Sequence, residues 1–212
     1  THSAFNPNRD PTRFRSVIAL VSHLTLMATV LTGAAIMRER EHGTIEHLLA
    51  MPLTPLDIAA AKILASGAVV LAAAALSLAV VVQGLLGAGL EGSKPLFLAG
   101  AALYLFSAAA LGVLLATVTR SMAQFALLTI LAIMAIQFLS GGETPVEAQP
   151  DWLQALTIAL PARHFIDASQ AILFKGAGPA DVASAFIAIA AQGACLLTIS
   201  LIGFRRSFAE GA

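Results

Sequence analysis

Charge is scarce in this chain of 212 residues: 11% of its residues are Asp, Glu, Lys or Arg, about half the usual fraction in a soluble domain. The 12 basic and 12 acidic side chains cancel, so there is no basic excess to hold nucleic acid. A single cysteine, Cys195, cannot close an internal disulfide. That excludes a disulfide-framed secreted scaffold and leaves the redox compartment unread. Disorder is excluded as well, because 58% of the chain is apolar and so can bury a core. The mean hydropathy of +0.85 belongs to a chain solvated mostly by lipid.

The stretches without charge carry the organisation. No Asp, Glu, Lys or Arg occurs in residues 16–37, 63–90, 95–119, 121–142 or 182–204. About 20 helical residues cross the hydrocarbon core, and each gap clears that length. The gaps are unbroken runs rich in Ala and Leu, not the short alternating strands of a closed barrel. Helices and closed barrels are the structures that satisfy their backbone in lipid. The expected fold class is therefore an all-α integral membrane protein with five transmembrane helices at about those bounds. The first gap is too long for a signal peptide, and no small-residue cleavage site followed by a soluble domain comes after it.

With the N-terminus placed outside, Arg38, Arg40, Lys62, Arg120, Arg205 and Arg206 fall inside, against Arg9, Arg13, Arg15, Lys94, Arg163 and Lys175 outside. Six against six decides nothing under the positive-inside rule. If Arg9, Arg13 and Arg15 belong to a larger external domain, which crosses regardless of charge, the remaining count of six to three puts the C-terminus in the cytoplasm.

Two connections are long enough to hold chemistry, 38–62 and 143–181; those at 91–94 and around Arg120 are tight turns that make their flanking spans antiparallel neighbours. In the first long connection, Thr44 can cap a short helix with Glu46 in its first turn. Ile45, Leu48 and Leu49 share one face, and Pro52 ends it. Thr54-Pro55-Leu56-Asp57 restarts a helix with a capping Thr, a Pro at the first position and an acid three residues on. A stubby amphipathic helix of this kind suits a groove on a partner; the plainer reading is a solvated loop of alternating charge. In the second connection Thr144-Pro145-Val146-Glu147 is another capped start. Residues 151–160 and 161–174 are too short to span, which fits re-entrant or interfacial helices, and the sole Trp, Trp152, suits the lipid–water boundary. They form either a substrate gate or a lid that touches no ligand.

Several chemistries lack their motifs. There is no G-x-x-x-x-G-K-[ST] phosphate loop, so this chain does not hold ATP in the usual cradle. His42, Glu46 and His47 read H-x-x-x-E-H, which matches neither zinc-protease pattern, and no metal is expected. The spans contain no acid of the sort proton-driven carriers use. Their polar groups are His23, Gln83, Tyr104, Gln137 and Gln192 with several Ser and Thr. His23 reads either as a proton shuttle or as a hydrogen-bonding partner of a neighbouring helix. Ala108, Gly112 and Ala116 form a small-residue ridge at four-residue spacing that allows close helix packing, although small residues abound in so Ala-rich a chain.

The run Arg38-Glu39-Arg40-Glu41-His42-Gly43-Thr44-Ile45-Glu46-His47-Leu48-Leu49, followed by Met51-Pro52-Leu53-Thr54-Pro55 and Lys62, closely resembles the coupling region of ABC-2 type exporter permeases. The family pattern is R-E-[KR]-E-x-G-T-[IL]-E-x-L-L. Ser140-Gly141-Gly142-Glu143-Thr144-Pro145-Val146-Glu147 and Pro161-Ala162-Arg163-His164-Phe165 are similar to the family's segment before its last span. The resemblance covers essentially the whole of 1–212. The family has six spans with a large external domain between the first two. Five spans, and Thr rather than Met at position 1, make this the expected C-terminal part: 1–15 a remnant of the external domain and 16–212 the transmembrane domain.

That resemblance implies a multi-pass permease of the inner or plasma membrane, not an enzyme. It would pair with a second permease chain, as a homo- or heterodimer in membrane lipid. An ABC ATP-binding subunit would carry ATP and Mg, and this chain would bind no cofactor. Its cytoplasmic coupling helix would be built from Arg38, Glu39, Arg40, Glu41, Gly43, Thr44, Ile45, Glu46, Leu48 and Leu49. The charged members would meet the ATPase, Gly43 would give the turn, and the apolar members would fill its groove. Gly141, Gly142, Thr144, Pro145, Trp152, Pro161 and Phe165 would form an external gate or re-entrant element. The expected activity is ATP-driven export of a lipophilic or amphipathic substrate by alternating access. The alternative is an ATP-independent channel or carrier, and nothing supports an intramembrane enzyme.

Overall fold

The computed structural model describes residues 11–42, 54–80, 92–140 and 149–209, and these contain helices and no strand. Five helices are long and apolar enough to cross a membrane, as the charge gaps require. They are α1 (Pro11–Glu41), α2 (Pro55–Ser77), α3 (Lys94–Val118), α4 (Met122–Leu139) and α7 (Pro179–Ala209). Between α4 and α7 lie two short helices, α5 (Asp151–Thr157) and α6 (Pro161–Lys175).

α2 overruns its charge gap, and the two charges this adds, Asp57 and Lys62, are both satisfied. α2 begins at Pro55 rather than near Ile63. Thr54 caps it through a reciprocal box: its hydroxyl accepts from Asp57 N at 3.3 Å and its own N–H donates to Asp57 Oδ2 at 2.8 Å. The capping Thr, the Pro at the first position and the acid three residues on act as their spacing predicts. Lys62, the last charge before the gap, lies inside the helix and pairs with Glu39 of α1. The turn at Arg120 is short, with Ser121 Oγ accepting from Gln124 N at 3.3 Å to open α4. Ser93 caps α3 in the same way through Leu96 N. Gly176, in the left-handed conformation at φ 64°, closes α6, and Ala177 N donates to Ala171 O at 3.0 Å in that C-terminal turn.

α3 is the centre of the bundle and packs against α7, α1, α2 and α6. Lipid supplies no hydrophobic drive between helices, so close packing and interhelical hydrogen bonds must hold them. The α1–α3 seam supplies both. A Cβ added at Gly112 would sit 2.4 Å from Thr29 O, and one at Gly33 2.8 Å from Gly112 O. The two backbones therefore touch, and Gly is the residue that permits it. The small-residue ridge is a true contact: Ala108 and Ala116 are buried with Gly112. Thr25, Thr29 and Thr32 recur on one face of α1 and are all buried. Thr29 Oγ1 donates to Ala108 O at 3.1 Å, Thr25 Oγ1 meets the Tyr104 hydroxyl, and Thr32 Oγ1 meets Ser66 Oγ of α2.

α6 departs from a surface lid. Its Phe165, Ile172 and Leu173 are fully buried. The Phe165 ring stacks on Tyr104 at 4.6 Å between centroids and tilts against Phe97 at 5.8 Å. Phe97 and Tyr104 stand two turns apart on one face of α3, which gives the short helix a fixed seat among the long ones. α5, by contrast, leaves Trp152 71% exposed.

Candidate functional site

Two places in the bundle gather polar groups that an apolar chain has reason to ration. The first is the end at which α1 stops. There Glu39 accepts from Lys62 Nζ of α2. Arg40 Nη1 donates to Ala116 O at 2.8 Å and Thr119 O at 3.1 Å, carbonyls at the C-terminal end of α3. Glu41 Oε1 accepts from Met122 N, the first residue of α4, at 2.6 Å. Arg40 and Glu41 each meet a helix end of the opposite sign: the cation the last carbonyls of α3, the anion the first amide of α4. Three consecutive residues of α1 thus hold α2, α3 and α4. Arg38 is exposed and turns back on its own helix, with Nε 3.4 Å from Ala34 O.

Of the expected coupling residues, then, Glu39, Arg40 and Glu41 are engaged within the chain and Arg38 projects outward. Gly43, Thr44, Ile45, Glu46, Leu48 and Leu49 lie outside the described residues, and so do Gly141, Gly142, Thr144 and Pro145 of the expected gate. Of that gate, Phe165 is core and Trp152 is exposed.

The second place is a cavity of about 300 Å³ inside the single chain. Thr25 of α1, Tyr104 and Ser107 of α3, Ile136 of α4 and Gln192 of α7 stand around it. The α5–α6 corner, residues 159–162, closes one side. That corner is tied down from three directions. Arg163 Nη1 donates to Gln154 O at 2.9 Å, while the His164 ring and Gln192 Nε2 both bond Ile158 O, at 2.9 and 2.8 Å. Pro161, the remaining expected gate residue, lines the cavity at this corner.

Sequence reasoning passed over the cavity because its polar lining comes one residue at a time from separate helices. Gln192 and Tyr104 stood out as intramembrane polar groups, whereas Ser107 and the Thr stripe were lost among many Ser and Thr. His23 is exposed, and its ring meets Ala19 O of its own helix at 2.6 Å. Among the described residues no group of three or more His, Cys, Asp or Glu could hold a metal ion.

Comparison with known proteins agrees with this architecture. The family model for the ABC-2 type transporter matches residues 3–174. The chain is 47% identical over 207 residues to the inner membrane transport permease YhhJ of Escherichia coli, which covers 98% of this chain and 55% of that protein. It is 33% identical over 175 residues to the probable multidrug ABC transporter permease YbhR of Escherichia coli, covering 82% of this chain and 47% of that protein. The chain therefore spans about half the length of the curated relatives it matches.

Proposed function

The chain belongs to the ABC-2 type transporter family, and on that premise we propose that it is the membrane-spanning part of an ATP-driven exporter whose ATPase docks beneath the Glu39 end of the bundle. Membership makes it a multi-pass membrane transport permease; the ATPase, the cargo and the direction are the proposal. The inner membrane is its place, as the relative's name says of YhhJ, and the Glu39 end and the C-terminus face the cytoplasm. A second permease chain completes the assembly.

One observation carries the reading: the three-residue tie of Glu39, Arg40 and Glu41 across α2, α3 and α4. A charged run followed at once by the segment 43–50 is poorly placed for chemistry and well placed for mechanical coupling. Any displacement of that segment pulls on the end of α1, and through it on three more helices at the same level. Ile45, Leu48 and Leu49 fill a groove on the ATPase, Gly43 turns the chain into that element, and Glu46 and the outward Arg38 meet charges on the partner. ATP and Mg stay on the partner, and closure of its two halves is the input that the tie distributes. Spans almost free of charge suit a lipophilic or amphipathic cargo.

The test is reconstitution of the full-length permease with its candidate ATPase. Glu46→Lys reverses a charge in the proposed coupling segment, and we expect ATPase stimulation to fall about tenfold and co-purification to weaken, since a like-charge contact across an interface costs several kcal/mol. Gly43→Pro stiffens the turn and is expected to spare co-purification while uncoupling stimulation. Wild-type values of both measurements in both variants would reject the coupling assignment.

A further inference from the structure

Among the described residues, two buried side-chain oxygens at the cavity have no hydrogen-bond partner. Ser107 is fully buried, and its Oγ makes no hydrogen bond. A helical Ser commonly bonds the carbonyl four residues back; this one does not, and its hydroxyl is left for the cavity it lines. Gln192 donates through Nε2 to Ile158 O at 2.8 Å, which fixes the amide's orientation and leaves Oε1 buried without a donor. The two stand at one level, because a Cβ at Gly193 would lie 3.1 Å from Ser107 Cα. The neighbouring hydroxyls are already committed: Thr25 Oγ1 donates to Val21 O at 2.8 Å, so the Tyr104 hydroxyl must donate to Thr25. An unpaired polar atom in such a place costs free energy, and here two of them flank an otherwise apolar space.

We propose that this cavity binds a neutral, single-chain amphiphile through a hydroxyl head that donates to Gln192 Oε1 and accepts from the Ser107 hydroxyl. Complementarity selects the class. A carboxylate brings no proton for Gln192 Oε1, an ammonium brings no acceptor for Ser107, and an alkane leaves both atoms unpaired. Among the described residues no charged side chain lines the space, and none of them neutralises an ionic head. Leu111, Ile136 and Leu196 supply the apolar wall. The volume sits at the low end of small-molecule sites, which favours one chain over two. This goes beyond the export reading, since it assigns a ligand to a cavity within one protomer whether or not ATP drives its release.

The probe is a diazirine-bearing octanol, photolysed with the membrane-embedded permease in the absence of ATP and mapped by mass spectrometry. The expected result is saturable adducts on Leu111, Ile136 or Leu196, competed by unlabelled octanol. A diazirine-bearing octanoate should label them about tenfold less, the discrimination expected when one buried hydrogen bond goes unmade. Ser107→Ala and Gln192→Leu should each weaken octanol labelling about three- to tenfold, Ser107→Thr should retain it, and adducts on the exposed Leu64 should change in none. Equal labelling by the two probes would overturn the proposal, as would non-saturable adducts spread over α2. Competition by dioctanoylglycerol at lower concentration than octanol would replace the single-chain ligand with a two-chain lipid. None of these readouts depends on an ATPase, so they stand or fall separately from the coupling test.

Discussion

The α1–α3 seam and the helices around it are built from similarly apolar sequence but held by different means. Over their most apolar stretches α1 and α3 are 56% and 61% buried, whereas α2, α4 and α7 reach 22%, 17% and 17%. In the seam, glycines let backbones touch and threonines hydrogen-bond across the gap. In the outer helices Leu64, Val69, Leu127, Ile130 and Ile187 point away from the chain. Where lipid is the solvent, an apolar side chain gains little by leaving it for another helix. What separates interior from exterior is therefore not hydrophobicity but smallness and hydrogen bonding. The charged end joins the two zones, since Glu39 and Glu41 reach from a seam helix to two outer ones.

The strongest way to break this contrast is to add one methyl group where backbones meet. Gly112→Ala places a Cβ 2.4 Å from Thr29 O and 3.1 Å from Thr29 C. Those atoms are backbone and cannot rotate aside, so α1 and α3 must separate along the whole seam. We expect a loss of about 3 kcal/mol, at the upper end of ordinary overpacking, read as a lowered midpoint of unfolding in detergent micelles. An unchanged midpoint would mean that the seam is not the rigid part of the bundle.

This seam was the least legible part of the sequence, and the reason is physical. Exclusion of charge is a property of each residue alone, so the gaps count the spans without any knowledge of neighbours. Local capping is nearly as readable, because Thr54 and Asp57 meet within one turn. The partners of Glu39 stand 23 residues away, those of Arg40 76 and 79, and that of Glu41 81. Their charges mark the end of a span but not which helix they hold. The ridge at Ala108, Gly112 and Ala116 reads from sequence as a weak packing signal in an Ala-rich chain, and its partners Thr29 and Gly33 are not marked by that spacing. Phe165 misled in the opposite direction: a short helix outside the long spans reads as peripheral, yet its ring is seated on Tyr104.

Arg40→Ala is the intermediate case, because it acts where seam and shell are joined. The change removes a charge-assisted donor from the last carbonyls of α3. Arg40 is half-buried, and the expected cost is about 1–2 kcal/mol, in the range of hydrogen bonds to charged groups. The loss should also be local. Hydrogen exchange is expected to quicken at residues 116–122 while amides near Gly112 keep their protection. Arg40→Lys should recover part of the protection, since an ammonium lacks the fixed fork of a guanidinium. Uniform loss across α3 would show that the charged end and the seam form one cooperative unit.

The smallest effect sharpens the contrast most, because it repeats the first substitution with the opposite sign. Gly67 lies in α2, and a Cβ built there meets nothing within 4 Å. Gly67→Ala therefore meets no backbone and no ring, and it leaves the Thr32–Ser66 hydrogen bond one residue away untouched. What remains is backbone freedom: Gly in a helix interior costs about 1 kcal/mol relative to Ala in water, and less where lipid already favours the helix. The expected outcome is a gain of between about 0 and 1 kcal/mol, read as an unchanged or slightly raised midpoint under the conditions used for Gly112→Ala. Opposite responses to one added methyl group would locate the packing constraint at the α1–α3 contact. A loss at Gly67 comparable to that at Gly112 would instead mean that α2 presses its Gly67 face against another chain, and that the exposed shell of the single protomer is interior in the assembly.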